Sequence, residues 1–564
     1  MIKGLTGQRW LILEDIEKAP DYLINKHGRV LGQLIFNRRT LFNNKFEEEN
    51  IYPKIKNLIE PKYFTKLEEI AQNLANDIKK GKSIAIYGDY DADGITSTAL
   101  LANFLYDIGV KVKYYIPSRF SEGYGLNKAA IKKISSLSDI LIVLDSGTSA
   151  YDELIFAAKN GLKVFVLDHH EPKDKNWKFE NVNILNPKLF NKINPYFKHL
   201  STVGIVFYLM IMLRKLLKKD IPLSPYLDIV AIGTIADVVP LTYLNRILVK
   251  KGIEEINRKR RKGIKAMLNQ LNLEKVSSFD VGFQIAPRIN AAGRLDDAKK
   301  AVKLLISRNE KQSKQLAYEL EILNKKRQKI TENVFKESQT MIKNEKPEDF
   351  VMVAGKNWHQ GVIGIVAGRL LEKYKIPSFV LAVNNGYAVA SVRSTPEINI
   401  HKILNKHAYI FEKFGGHSMA AGFTIKSKKI PELKEILKEE MKNVEKEEIY
   451  LEIDMEVPLS YWDERTLKSL SILEPFGEEN PFPRFIAKNL RIQDFMTIGI
   501  DNSHIKFWLK DTNGNYFEAL WWGAKNYINK LSVGQKINIA YIPKISKFNN
   551  KVNINFIISD VNLI

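Results

Sequence analysis

The sequence predicts an α/β fold: a doubly wound parallel sheet, a long connecting helix, a second α/β domain and a C-terminal OB-like β-barrel. Three observations predict it. Short β-branched runs alternate with helical patterns from about Ile55 onward, the rhythm of a parallel sheet. A highly charged stretch from about 297 to 345 places Leu316, Leu320, Leu323, Ile330 and Val334 at helical spacing. Beyond about Ile449, short strand-like runs with aromatic residues replace the helical patterns. The domains expected are 1–54, 55–296, 297–347 (the connecting helix), 348–445 and 446–564.

The first 54 residues mix aromatic, proline and charged residues with weak periodicity. They read as an extension packed on the domain that follows. The chain has 564 residues, 45% of them hydrophobic, enough for several cores. Its formal charge of +22 favours a polyanionic partner, nucleic acid first and an acidic membrane surface second. With no cysteine, disulfides and Cys-ligated zinc or iron–sulfur sites are excluded. The N-terminus lacks a signal h-region, and the longest apolar run, near Val203 to Leu213, is too short to span a bilayer. A soluble cytoplasmic protein is expected.

Ser83 to Tyr87 is a short apolar run, read as a buried strand, and Asp89, Asp91 and Asp93 follow it at every second position. Gly94 and Ser97 then open an amphipathic run from Thr98 to Ile108, read as a helix. Carboxylates at the C-terminal end of a strand stand where open α/β sheets bind ligands. Three so close repel one another, and a hard cation such as Mg²⁺ or Mn²⁺ relieves that cost. An acidic turn with a helix cap is the plain alternative.

Two further strands end in chemistry. Ile140–Leu144 runs into Asp145, Ser146 and Gly147, and Lys163–Leu167 into Asp168, His169 and His170. Asp237 follows Gly233-Thr-Ile-Ala. One Asp after a strand often caps the next helix; ligand-type residues after several strands of one sheet need a stronger explanation. Asp91, Asp93, Asp145, His169 and Asp237 are therefore expected to meet at one sheet edge, a set that suits Mn²⁺, with Mg²⁺ as competitor.

In the second domain, Trp358-His359-Gln-Gly361 and Gly364 open a helix whose backbone N–H groups can hold a phosphate. Arg393, beside Ser391, can bind phosphate bidentately, His417 can donate to it, and Gly415-Gly416 permits close backbone approach. A glycine turn with a buried histidine is the alternative. In the barrel, Trp508, Tyr516, Trp521 and Trp522 are candidates for base stacking, with Lys506, Lys510 and Lys525 supplying charge. About half are expected to be core residues.

Gly88-Asp-Tyr-Asp-Ala-Asp-Gly94, Asp145-Ser-Gly147, Asp168-His-His170 and Gly233-Thr-Ile-Ala-Asp237, in that order, resemble the motifs of the DHH phosphoesterases. Some members carry His where this chain has Tyr87, so Tyr87 is assigned no metal. Ile116 to Gly125, Pro287 to Arg294, Trp358 to Gly364 and Glu474 to Pro481 extend the likeness to the single-strand-specific 5′→3′ DNA exonucleases of that family. The resemblance implies two-metal hydrolysis with release of 5′ mononucleotides in DNA repair and recombination. Asp89 would be an additional or outer ligand, His170 would contact the scissile phosphate, and Asp168 would orient its neighbours. Arg119, Ser391 and Arg393 would seize the 5′ phosphate, helped by Arg294 or Arg288. A monomer acting with a helicase and a single-strand-binding protein is implied by the family alone. The rivals are a small-nucleotide phosphodiesterase and a non-catalytic single-strand-binding scaffold.

Overall fold

Five strands form the first sheet in the order Val112–Tyr115, Ile84–Gly88, Ile140–Leu144, Lys163–Leu167 and Val182–Leu185, every pair parallel. The computed structural model describes residues 2–119, 122–123, 125–345, 347, 349–442, 450–499, 502–548 and 551–564. The expected boundary at 445/446 lies outside the described residues, as do Phe120, Ser121 and Tyr124 of the Ile116–Gly125 segment. Ile84–Gly88 and Ile140–Leu144 are buried along their whole length, which is why they read as unbroken apolar runs.

The helix after the first strand departs from expectation. It runs Ala92–Asp107 rather than from Thr98, because the Asp91 side chain accepts from the Gly94 N–H at 3.0 Å and caps it. Asp93 thus stands in the first helical turn. The helix is buried on all sides from Ala92 to Leu105, wedged between the sheet and the helices Thr202–Leu216, Leu227–Ala236 and Lys299–Ile306. It is a central helix and not an amphipathic one.

The connecting segment is two helices, Lys299–Ile306 and Glu310–Glu345. Ser307 breaks the pattern with extended backbone. The second helix has 36 residues, about 54 Å at the usual rise. It leads to a mixed sheet ordered Lys413–His417, Ala420–Lys426, Tyr387–Arg393, Ser378–Asn384, Val351–Lys356, in which only the last pair is parallel.

The barrel uses Phe485–Ile498, His504–Lys510, Tyr516–Trp521, Lys536–Phe548 and Lys551–Leu563. It closes where the first pairs with the fourth. Asp511 to Asn515 forms the expected hairpin around Asn513-Gly514. Among the described residues no helix is long and apolar enough to cross a membrane.

The N-terminal extension packs mainly on the far end of the chain, and on the domain that follows it through Arg246, which binds the Asn50 and Ile51 carbonyls and lies over the Phe42 ring. Arg9–Ile12 pairs in parallel with Tyr450–Ile453, and Leu23, Val30, Leu34 and Phe42 share one core with the barrel. Sequence patterning could not show this, since both faces are ordinary apolar surface until they meet. The seam holds a buried ion pair: Arg38 Nη2 donates to Asp454 Oδ2 at 2.9 Å, both side chains under 10% exposed. Arg38→Ala leaves the Asp454 carboxylate buried against only neutral donors. It is expected to cost about 3–5 kcal/mol in the unfolding transition of the barrel, measured in urea. Arg38→Met with Asp454→Leu is expected to recover most of that loss.

Candidate active site

Each strand end aims its carboxylate by a local device. Asp89 accepts from its neighbour Tyr90 N–H at 2.7 Å. A Cβ on Gly94 would lie 2.6 Å from the Asp89 backbone nitrogen, so only glycine lets the helix start this close. Asp145 has φ +64°, a left-handed turn that Asp tolerates better than most residues. Its Oδ1 accepts from Thr202 Oγ1 at 2.9 Å. Asp93 accepts from the Thr202 and Val203 N–H groups at 2.6 and 3.0 Å, at the N-terminus of the Thr202–Leu216 helix, where negative charge is favoured. Asp237 caps the end of Leu227–Ala236, and Val238 beyond it has φ +57°.

These residues converge. His169 Nε2 lies 3.6 Å from Asp145 Oδ1 and 3.4 Å from Asp237 Oδ2. Three trios have ligand atoms within 4.8 Å of one another: Asp145, His169 and His170; Asp93, His169 and Asp237; Asp89, Asp91 and Asp145. They share Asp145 and His169, so they form one continuous centre. Asp145 Oδ2, His169 Nε2 and Asp237 Oδ2 are buried without a hydrogen-bond partner. Oxygen donors with one imidazole, left unsatisfied and pointing together, fit hard divalent cations of the Mg²⁺ or Mn²⁺ type.

Burial first, then the neighbouring carboxylates, holds Asp89, Asp145 and Asp237 well above the usual carboxylate range and lifts Asp93 to about 7. Burial, then His170, pushes His169 down to about 3, the neutral form that binds metals. Asp168 is different. Its Oδ1 accepts from the His169 and His170 N–H groups and from His170 Nδ1 at 2.7 Å, and its Oδ2 from Thr148 N–H. With both oxygens occupied it is an orienting group. Burial works against both charges, yet the Asp168–His170 bond lowers the carboxyl and raises the imidazole, leaving His170 Nε2 turned away from Asp168.

Across the cleft the charge is reversed. Arg294 Nη1 donates to the Gly361 carbonyl at 3.1 Å, and a Cβ on Gly361 would lie 2.1 Å from the Arg294 carbonyl oxygen, so the two domains meet main chain to main chain. Arg393 lies beside Ser391, its Nη1 3.4 Å from Ser391 Oγ, and both border Gly364. Arg119 rests over the Tyr90 ring at 5.4 Å. Burial, then Arg119, lowers Arg294 to about 10 and also lowers Arg393. The nearest acidic influence is the metal-type centre itself: Asp91 raises Arg294, and Arg119 lowers Asp89. Guanidinium groups gathered at a helix start are of the chemistry that suits an anion.

Other expected contacts resolve differently. Arg288 is spent on packing: its Nε bonds Glu321 and its Nη1 the Gln284 carbonyl, both at 2.6 Å, so of the pair only Arg294 faces the pocket. His359 caps the Gln360–Tyr374 helix through Nδ1 and lies near Lys326 and Arg119. Gly416 is required by the hairpin, since a Cβ would meet the Ala420 carbonyl at 2.5 Å, whereas Gly415 faces open space. His417 lies close enough to His170 and Lys188 for their charges, after burial, to lower its proton affinity. In the barrel Trp522 is exposed and Trp508 half-buried with Lys506 over its ring. Trp521, expected as a stacking residue, is a core residue stacked on Tyr527. Thr202 and Asn290, which holds the Ala92 N–H at 2.9 Å, were not assigned from sequence. Thr202 looked like an ordinary helix start, while Asn290 lay within a recognised motif that offered a signal.

A parallel sheet with carboxylates and histidines at its strand ends, faced by a second α/β domain and with an arginine pocket at their seam, defines a phosphoesterase of the DHH class. The family model described as DHH family, N-terminal domain, matches residues 83–234, the DHHA1 domain matches 348–443, and the RecJ OB domain matches 453–560. The chain belongs to the RecJ family. It is 33% identical over 504 residues to the single-stranded-DNA-specific exonuclease RecJ of Bacillus subtilis, covering 88% of this chain and 63% of that one. With the RecJ of Haemophilus influenzae it shares 32% over 487 residues, 82% of this chain and 84% of that one. The crystal structure of RecJ in complex with Mn²⁺ from Thermus thermophilus superimposes with a TM-score of 0.84 at 27% identity, over 98% of this chain and 79% of that chain. An exonuclease RecJ bound to manganese gives 0.59 at 32%, over 67% and 95%.

The raised carboxyls set a pH dependence. Without a cation they hold their protons in the folded state, so their stabilising contribution is complete below pH ~4. For Asp93 it is lost as pH rises through about 7. A bound cation reverses this by favouring the ionised form. The gain in Tm on replacing EDTA with Mn²⁺ is therefore expected to grow from pH ~4.5 to above pH ~7, limits set by the ordinary and the raised carboxyl values. Calorimetry in buffers of different ionisation heat is expected to show proton release on Mn²⁺ binding at pH ~6.

Proposed function

We propose that the chain is a single-stranded-DNA-specific 5′→3′ exonuclease that releases 5′ mononucleotides by two-metal hydrolysis. One observation carries this reading: a carboxylate and histidine centre with buried, unpartnered ligand atoms lies beside a pocket where Arg119, Arg294 and Arg393 gather at the seam with the second domain. The first set holds cations and the second a terminal phosphate, so the polymer has one direction in which to lie.

Asp89, Asp91, Asp93, Asp145, His169 and Asp237 would hold two divalent ions, Mn²⁺ or Mg²⁺, both of which occur in complexes of the Thermus thermophilus relative. Bound there, the ions supply a hydroxide nucleophile at neutral pH and stabilise the leaving 3′ oxygen. His170, oriented by Asp168 through Nδ1, offers Nε2 to a non-bridging oxygen of the scissile phosphate. Arg119, Ser391 and Arg393, backed by Arg294, bind the 5′ phosphate. This anchor fixes the first phosphodiester at the centre and thereby sets both polarity and product. His417 and Lys188 flank the cleft near His170. Trp522 and Trp508 offer stacking surfaces to bases farther along the strand.

The catalytic part is assigned to 55–296, which also lends Arg119 and Arg294 to the anchor, the substrate-binding part with Ser391 and Arg393 to 348–445, and the barrel to 446–564. The family relationship supports action in repair and recombination in the cytoplasm, as a monomer, with a helicase and a single-strand-binding protein. Comparing turnover of a long single strand with that of a dinucleotide tests the substrate: faster turnover of the dinucleotide overturns the polymer assignment. Asp93→Ala is expected to abolish hydrolysis while DNA binding stays measurable; wild-type turnover in that variant overturns the metal site.

The anchor makes a second prediction. A charge-assisted contact contributes about 1.5–3 kcal/mol, so a 5′-phosphorylated strand should be cut about one to two orders of magnitude faster than a 5′-hydroxyl strand. Arg393→Ala is expected to remove most of that preference with little effect on Mn²⁺ binding. Initial rates on end-labelled strands, at one ionic strength because binding is salt-dependent, check both statements. A preference intact in Arg393→Ala moves the anchor to Arg119 and Arg294.

A further inference from the structure

The Glu474–Pro481 segment stands out in sequence, yet it contributes nothing to metal or phosphate chemistry. Its position explains it. The Leu241 N–H donates to the Glu478 carbonyl at 2.9 Å, and Ser278 Oγ donates to the Phe476 carbonyl at 2.7 Å. A Cβ on Gly477 would stand 2.6 Å from Leu241 Cδ1, so the loop lies directly on that side chain. Leu241 ends the run Asp237-Val-Val-Pro-Leu that carries a metal-type ligand. Ser278 opens the helical stretch that leads to Asn290 and Arg294.

The loop is itself rigid. Asn480 is fully buried, and its Nδ2 donates to the carbonyls of Leu473 at 2.8 Å and Pro475 at 2.7 Å. Gly477 and Asn480 exchange backbone hydrogen bonds at 2.9 and 3.1 Å. From behind, Arg246 holds the Ile472 carbonyl at 2.7 Å and Arg38 holds the Pro481 carbonyl at 3.3 Å.

What the loop clamps is strained. Val238 has φ +57° and is 65% exposed. A β-branched residue in this region is an outlier that persists only where its surroundings impose it, and packing on Val238 itself supplies little. Asp237 is tied on its N-terminal side by its own helix, and the C-terminal tie comes from the Leu241–Glu478 bond, aided by Asn245 Nδ2 on the Pro240 carbonyl at 2.9 Å.

The structure assigns the Glu474–Pro481 loop, with Asn480 as its internal brace, the role of a positioning element that holds the strained Asp237–Leu241 turn and so ties metal affinity in the catalytic domain to docking of the barrel. The inference rests on Asp237 being a metal ligand. It makes the barrel part of the hydrolytic centre rather than a nucleic-acid-binding appendage.

The test is Mn²⁺ binding by the full chain without DNA, followed by electron paramagnetic resonance of the free ion. Asn480→Ala is expected to weaken Mn²⁺ binding by about tenfold, the lower end for partners outside the ligand shell. Binding of a long single strand in EDTA is expected to be unchanged. Adding Val238→Gly, which removes the strain the loop must hold, is expected to restore most of the lost affinity. Ser278→Ala removes only the bond to Phe476 and is expected to shift affinity in the same direction by less; it decides the matter if Asn480→Ala does not fold. Unchanged Mn²⁺ affinity in the folded variants overturns the inference, as does a loss that Val238→Gly fails to restore. Failure of the wild-type chain to bind Mn²⁺ overturns the metal assignment itself and is distinguishable from either.

Discussion

Negative charge buried at the ends of the parallel strands is the constraint on which the catalytic domain is built. Asp89, Asp93 and Asp145 are almost wholly buried, and Asp237 joins them beside His169. Ionised carboxylates so close in a poorly solvated place destabilise the fold unless something opposes them. The protein opposes them in part, with the Thr202 and Val203 N–H groups at a helix N-terminus and the Thr202 hydroxyl. The remainder is left to cations. The central Ala92–Asp107 helix follows from the same constraint, because a helix capped by Asp91 and carrying Asp93 in its first turn can meet the strand end only if Gly94 lies against Asp89.

The seam between the first and second domains carries the opposite imbalance. Burial, then Arg119, lowers the proton affinity of Arg294 and Arg393, and Asp91 offsets this only in part at Arg294. Arg288, about one and two-thirds turns away on the same helix as Arg294, shows the contrast: paired with Glu321, it is a packing residue. Guanidinium groups on one side and carboxylates that could hold cations on the other would give an anionic polymer an orientation. The contact of Arg294 with Gly361 fixes the separation of the two sites.

The chain closes on itself in a way that joins these sites to the barrel. Its first strand pairs with Tyr450–Ile453, its extension fills the barrel's flank, and Arg246 binds the carbonyls of Asn50, Ile51 and Ile472 together. A buried cation satisfied by backbone carbonyls drawn from separate segments works only when all of them are in place. Extension, catalytic domain and barrel are thereby made interdependent around the turn that presents Asp237.

Local chemistry was legible in the chain alone. The strand–Asp–Gly–helix pattern, the Asp145 and Asp168–His170 strand ends, the long charged helix and the Asn513-Gly514 hairpin each depend on neighbours within a few residues. Their bounds agree with the folded chain to within a residue at Ile140–Leu144 and Lys163–Leu167. Tertiary structure alone decided the rest. The start of the Ala92–Asp107 helix depended on Asp91 choosing a cap over a loop. The fate of Arg288 depended on Glu321, 33 residues on, and the burial of Trp521 on Tyr527 and the barrel core. The docking of the N-terminal extension depended on strands more than 400 residues away. A side chain's period along the chain tells which face it lies on, but whether that face meets solvent, a counter-charge or another domain is set by contacts that no local pattern contains.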